Sequence, residues 1–164
     1  MNGELALLAN ATVSALVARG ETLSSAESCT GGLIAKVITD IPGSSVVLTG
    51  GCVSYTNEVK MNILGVDPEI IARVSEVSAE CAEAMAKGAK EKFESTYALS
   101  TTGYAGPTGG TEKDPVGTVY LCLATPKGVI GERFCAPEGS TRSEVRSAAA
   151  ARALALLCEY LKKL

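Results

Sequence analysis

Short runs of β-branched and apolar residues alternate along the whole chain with longer stretches of helical apolar spacing, and glycine-containing turns separate them. This alternation is the strongest constraint on the fold. Strands and helices interleaved in one chain bury both kinds of apolar surface by laying helices on the faces of a sheet. Leu5, Leu8, Ala9, Val13, Leu16 and Val17 follow helical period up to Gly20, and residues 22–27 read as a short strand. Ser28-Cys29-Thr30-Gly31-Gly32 then opens a helix bearing Leu33, Ile34, Val37 and Ile38, which stops before Pro42-Gly43. A second strand, 46–55, runs into a helix with Asn57 as its expected cap. Further along come an amphipathic helix over 78–93, a strand over 97–101 and a glycine-rich loop over 103–110. A hairpin of 117–124 and 129–135 follows, turning at Pro126-Lys127-Gly128, and a last helix over 140–161 is capped by Ser140 or Thr141. The expected architecture is α/β: a three-layer α/β/α sandwich with a mixed, mostly parallel sheet, forming one domain over residues 1–164.

Composition narrows the function classes. With 15 Lys and Arg against 18 Asp and Glu, the net charge is −3, and no basic run offers a surface for a nucleic-acid backbone. The first residues lack the basic start and apolar block of a secretory signal, and no apolar run reaches the ~18 residues of a membrane helix. A cytoplasmic protein with neither nucleic-acid nor membrane partner is therefore expected. The six cysteines form no C-x-x-C pair and mostly lie in apolar stretches, as free buried thiols do.

The chain contains no histidine. A Ser-His-Asp triad, a Cys-His dyad and a His-ligated metal site are thus outside the reach of one chain, and proton transfer falls to Lys, Tyr, Asp, Glu or Cys. Ligands of open α/β sheets bind beyond the carboxyl ends of the strands, where Ser28, Tyr55 and Gly103 are expected. Ser28, between strand and helix, is placed either as a nucleophile beside the unpaired amides of Thr30, Gly31 and Gly32 or simply as a helix cap. Two glycines in a first helical turn cost up to about 1 kcal/mol each, which points to close approach of a ligand to the backbone.

Lys60 is expected in the first turns of its helix, near the positive end of the dipole and on a stretch anchored by Val59, Ile63 and Leu64. Both surroundings disfavour the ammonium, and a neutral lysine can accept a serine proton; the alternative is an ordinary solvated lysine. The Tyr55 phenol can share that proton or orient Lys60, or else serve as a core aromatic with a wet tip. Asn57 and Glu58 read as cap and first-turn acid, with Asn57 also near enough to the strand end to contact a substrate. Cys29 is the rival nucleophile, its side chain expected to point into the sheet. Gly103 and Gly106 allow a ligand close to the loop backbone, and Arg142 or Arg146, with Thr108, are candidates for phosphate contacts, although the two arginines also suit a salt-bridged surface pair.

Ala26-Glu27-Ser28-Cys29-Thr30-Gly31-Gly32, Ile41-Pro42-Gly43-Ser44-Ser45, Ser54-Tyr55-Thr56-Asn57-Glu58-Val59-Lys60, Gly103-Tyr104-Ala105-Gly106-Pro107 and Pro115-Val116-Gly117-Thr118-Val119 together resemble the CinA C-terminal domain family. The resemblance covers roughly residues 5–160. It implies the activity of the family's stand-alone nicotinamide-nucleotide amidases, which convert nicotinamide mononucleotide to nicotinate mononucleotide and ammonia. It also implies Ser28 as nucleophile, Tyr55 and Lys60 as acid/base partners, a homodimer, and neither cofactor nor metal. Some members of the family lack the activity, so a non-catalytic nucleotide-binding or interaction module is the alternative.

Overall fold

A computed structural model of the protein describes residues 3–164. Helix α1 (Gly3–Arg19) precedes strand β1 (Leu23–Glu27), helix α2 (Leu33–Thr39), a 3-10 turn (Ser44–Val46) and strand β2 (Leu48–Val53). Helices α3 (Asn57–Leu64), α4 (Pro68–Val74) and α5 (Ala79–Lys92) then lead to strand β3 (Tyr97–Gly103), the hairpin β4 (Thr118–Thr125) and β5 (Gly128–Cys135), and helix α6 (Arg142–Leu161). The sheet order is β2-β1-β3-β4-β5, with β1 parallel to both β2 and β3. The β3–β4 and β4–β5 pairs are antiparallel, so β4 alone runs against the other strands.

Side-chain alternation along β4 shows how the sheet divides the interior. Val119, Leu121 and Leu123 join the core under α1, α2 and α6, whereas Tyr120, Cys122 and Ala124 join the one under α5 and the end of α3. Strand β1 is fully buried despite its sequence Leu-Ser-Ser-Ala-Glu. Its polar groups are partnered internally: Ser24 Oγ lies 2.7 Å from Ser95 Oγ, and Ser25 Oγ donates to Glu27 at 3.2 Å.

Several expected boundaries shift. The helix after Ser28 begins at Leu33, because Gly31 and Gly32 adopt positive φ values of 61° and 89° and form a turn instead of a first helical turn. Thr56, not Asn57, caps α3, its side chain accepting from the Val59 amide. Helix α4 has no counterpart in the sequence reading; it is short and contributes no buried residue. The final helix is capped by Thr141 through a capping box with Glu144.

Helices α3 and α5 cross at a glycine. Gly88 sits inside α5, and a Cβ there would overlap the Leu64 carbonyl at the end of α3. A glycine inside a helix costs about 1 kcal/mol relative to alanine, and this close crossing is its physical reason.

Candidate active site

Parallel register brings three strand ends together. Glu27 pairs with Val53 on one side and Thr101 on the other, and the ladder continues through Ser54 N–H to the Glu27 carbonyl and Ser28 N–H to the Thr101 carbonyl. The segments leaving these strands enclose a cavity of about 400 Å³ whose lining includes Ser28, Tyr55, Asn57, Lys60, Glu76, Gly103 and Arg142.

Ser28 stands in a turn fixed from beneath. The buried Glu27 carboxylate accepts the Ile34 and Ala35 amides at 3.0 Å each and the Thr30 hydroxyl at 2.7 Å. It therefore takes the capping role for α2 that Ser28 would otherwise fill. Sequence reasoning passed over Glu27 as a strand residue; a carboxylate immediately before a serine and two glycines was the available signal. The Gly31 amide donates to the Ser28 carbonyl at 3.1 Å and is spent there, leaving the serine hydroxyl uninvolved in capping.

Lys60 is 1% exposed, deeper than a lysine ordinarily lies. It shares the inward face of α3 with Leu64, four residues on, while Ile63, expected to anchor that face, is exposed. The ammonium nitrogen reaches the Ser54 carbonyl at 2.7 Å and Ser28 Oγ at 3.3 Å. Burial lowers its pKa below the ordinary lysine value, opposed in part by Cys81 and Glu76. Cys29 is buried, and burial raises its thiol pKa to about 12. A thiol held this way supplies less thiolate near neutrality than an ordinary cysteine, which disfavours it as the rival nucleophile.

Tyr55 occupies the rim at 57% exposure, where its hydroxyl accepts from Arg142 Nη2 at 2.7 Å instead of bonding Lys60 or Ser28. Arg142 Nη1 donates to the Gly106 carbonyl at 2.7 Å, so this one guanidinium joins the end of β2 to the loop after β3. Gly106 lines the cavity at φ 79°, a left-handed conformation suited to glycine. Gly103 lines it as well, yet its lack of a side chain answers to the sheet: a Cβ would overlap the Thr118 carbonyl. Asn57 and Thr108 also face the cavity.

Other expected contacts lie outside the lining. Thr30 is fully buried with its hydroxyl between Glu27 and Thr101, Gly31 faces Arg146, and Gly32 rests against Val53. Arg146 donates to the Thr30 carbonyl at 2.9 Å and braces the Ser28 turn from behind, away from any phosphate in the cavity. Glu76, absent from the sequence reading, lines the cavity and is delivered by a loop residue, Ser75, at φ 80° and ψ 159°. All six cysteines are free; Cys29, Cys81 and Cys122 are buried, while Cys135 is exposed, unlike the buried thiols expected. Among the described residues no group of three or more His, Cys, Asp or Glu is placed to hold a metal ion, and no helix is long and apolar enough to cross a membrane.

Residues 5–161 match the sequence pattern of the CinA C-terminal domain. The CinA-like protein of Myxococcus xanthus is 49% identical over 142 residues, covering 87% of this chain and 34% of that protein. The nicotinamide-nucleotide amidohydrolase PncC of Shewanella oneidensis is likewise 49% identical over 142 residues, covering 87% of this chain and 33% of the relative. The chain thus spans about a third of the length of these curated relatives. Among solved structures, the competence/damage inducible protein CihA of Agrobacterium tumefaciens superimposes with a TM-score of 0.94 at 37% identity, over 99% of this chain and 98% of that one. A CinA superfamily protein of Klebsiella pneumoniae gives 0.92 at 31% identity, over 98% and 99%. The pattern runs nearly from end to end and the solved relatives share almost every element, so this chain belongs to the CinA C-terminal domain family.

Proposed function

We propose that the protein hydrolyses the carboxamide of a nicotinamide nucleotide, nicotinamide mononucleotide in the first instance, to the carboxylate and ammonia. The observation that carries this reading is the buried Lys60 nitrogen 3.3 Å from Ser28 Oγ at the floor of an open cavity. The name of the Shewanella oneidensis relative, a nicotinamide-nucleotide amidohydrolase, supports the substrate class.

Neutral Lys60 takes the Ser28 hydroxyl proton as Oγ bonds to the carboxamide carbon. The resulting ammonium, fixed by the Ser54 carbonyl, sits beside the developing negative charge and then gives its proton to the departing nitrogen. The C–N bond breaks, ammonia leaves, and an acyl ester remains on Ser28. Water, deprotonated by the same lysine, attacks the ester and frees the acid and the serine. Every proton in this sequence is carried by one amine, which stands where a histidine is lacking. At the rim, Tyr55 and Arg142 are assigned to substrate binding, with the guanidinium facing the phosphate.

Ammonia release from nicotinamide mononucleotide tests the reading. Ser28→Ala is expected to lower the rate by about 10⁴-fold or more, and Lys60→Met by about 10³-fold, with the nucleotide still bound. Wild-type rates in either variant, or binding by the wild-type chain without ammonia, would overturn it.

A further inference from the structure

The cavity holds three charged side chains: Lys60, Arg142 and Glu76. In the working state of the proposed amidase Lys60 is neutral, and Arg142 is held at the rim by Tyr55 and Gly106 with three donors to spare. Glu76 is then the cavity's only anion. Its side chain accepts one hydrogen bond, from Ser75 Oγ at 3.1 Å, and it forms no ion pair among the described residues.

The segment that presents it is held firmly in an unfavourable shape. At φ 80° and ψ 159°, Ser75 occupies a region that side-chain-bearing residues avoid. Three hydrogen bonds fix the segment around it: Ser78 Oγ to the Ser75 carbonyl at 2.8 Å, Val77 N–H to Ser75 Oγ at 3.2 Å, and Thr102 Oγ1 to the Glu76 carbonyl at 2.7 Å. The last of these ties Glu76 to β3 beside the cavity. Lys60, which Glu76 faces electrostatically, is neutral in the working state, so this half-buried carboxylate then lacks a cationic partner, and burial without one is costly.

We infer that Glu76 is a specificity-determining residue that pairs with a cationic ring of the substrate. This rests on the amidase reading and sharpens its substrate class: a carboxamide carried on a positively charged pyridinium is favoured over the same carboxamide on a neutral ring. A nicotinamide nucleotide has both features needed to span the cavity, an anionic phosphate for Arg142 and a ring cation for Glu76. Reduction of the ring removes the cation and leaves the amide, ribose and phosphate in place, so the reduced nucleotide isolates the pairing.

Calorimetric binding of nicotinamide mononucleotide and of its dihydro form to the full chain, in a Ser28→Ala background that prevents turnover, is the test. Adding Glu76→Gln, which keeps the size and the Ser75 contact, is expected to weaken the cationic ligand about tenfold and to change the neutral one by less than about twofold. Glu76→Asp is expected to restore part of the difference. Equal losses for both ligands, or no loss for the cationic one, overturn the assignment. Ammonia release by the wild-type chain is measured alongside. Release combined with Glu76-independent selection removes only the role of Glu76. Glu76-dependent selection without release removes only the amidase reading, and no binding of either ligand removes both.

Discussion

Lys60 shows how far a single residue's surroundings set its chemistry. Wrapped in protein and held against the Ser54 carbonyl, it loses its proton more readily than an ordinary lysine. A general base works in its deprotonated form, so turnover should rise with pH along a limb centred below the usual lysine value of about 10.4, and flatten above it. The groups facing Lys60 fix the sign of a second shift. Burial pulls its pKa down while the Glu76 carboxylate pushes it up, so Glu76→Gln should move the limb of the rate profile to lower pH. Cys29→Ala should retain most of the activity, since its thiol stays protonated below about 12; a steady-state assay across pH reads both outcomes. Lys60 stood out as a candidate base from the absence of histidine and its place beyond a strand. Its depth was not, because helical spacing around Val59, Ile63 and Leu64 put the apolar face a quarter-turn away from the one that Lys60 and Leu64 share.

At the scale of elements, the carboxyl ends of β1, β2 and β3 position the cavity, and α3 delivers Lys60. How closely α3 sits depends on Gly88 in the neighbouring helix. Gly88→Ala raises the intrinsic helix propensity of α5, yet it should destabilise the protein by about 1–3 kcal/mol because backbone must move to admit the methyl group. The same displacement shifts Lys60 against Ser28, so kcat should fall about tenfold or more although the methyl lies outside the cavity lining. Urea unfolding together with ammonia release checks the pair of effects; gained stability with full activity would contradict the crossing geometry. Strand and long-helix periodicity foretold most of these elements. The turn after Ser28 was misread because two glycines there look like the start of a helix, whereas their positive φ values delay it to Leu33. Helix α4 escaped notice because it is short and only partly buries Ile70 and Ile71, too little for a periodic stripe.

The molecule as a whole places its candidate site at one end of a sheet whose two faces are independently packed, an arrangement the alternation of strands and helices implied. Long-range partnerships were not implied. Arg142 opens the last helix, yet meets Tyr55 from a segment 87 positions earlier and Gly106 from one 36 positions earlier. Two of the five guanidinium N–H groups serve these contacts, so three donors remain for an incoming anion without dismantling the rim. A lysine there would match the formal charge but lack the planar fork that reaches two acceptors at once. Arg142→Lys should therefore raise KM for nicotinamide mononucleotide about tenfold and loosen both flanking segments, seen as faster amide hydrogen exchange around Tyr55 and Gly106. Unaltered exchange and KM would count against that span. For anyone altering this pocket, the consequence is practical: electrical equivalence at its doorway is no substitute for a crossbeam.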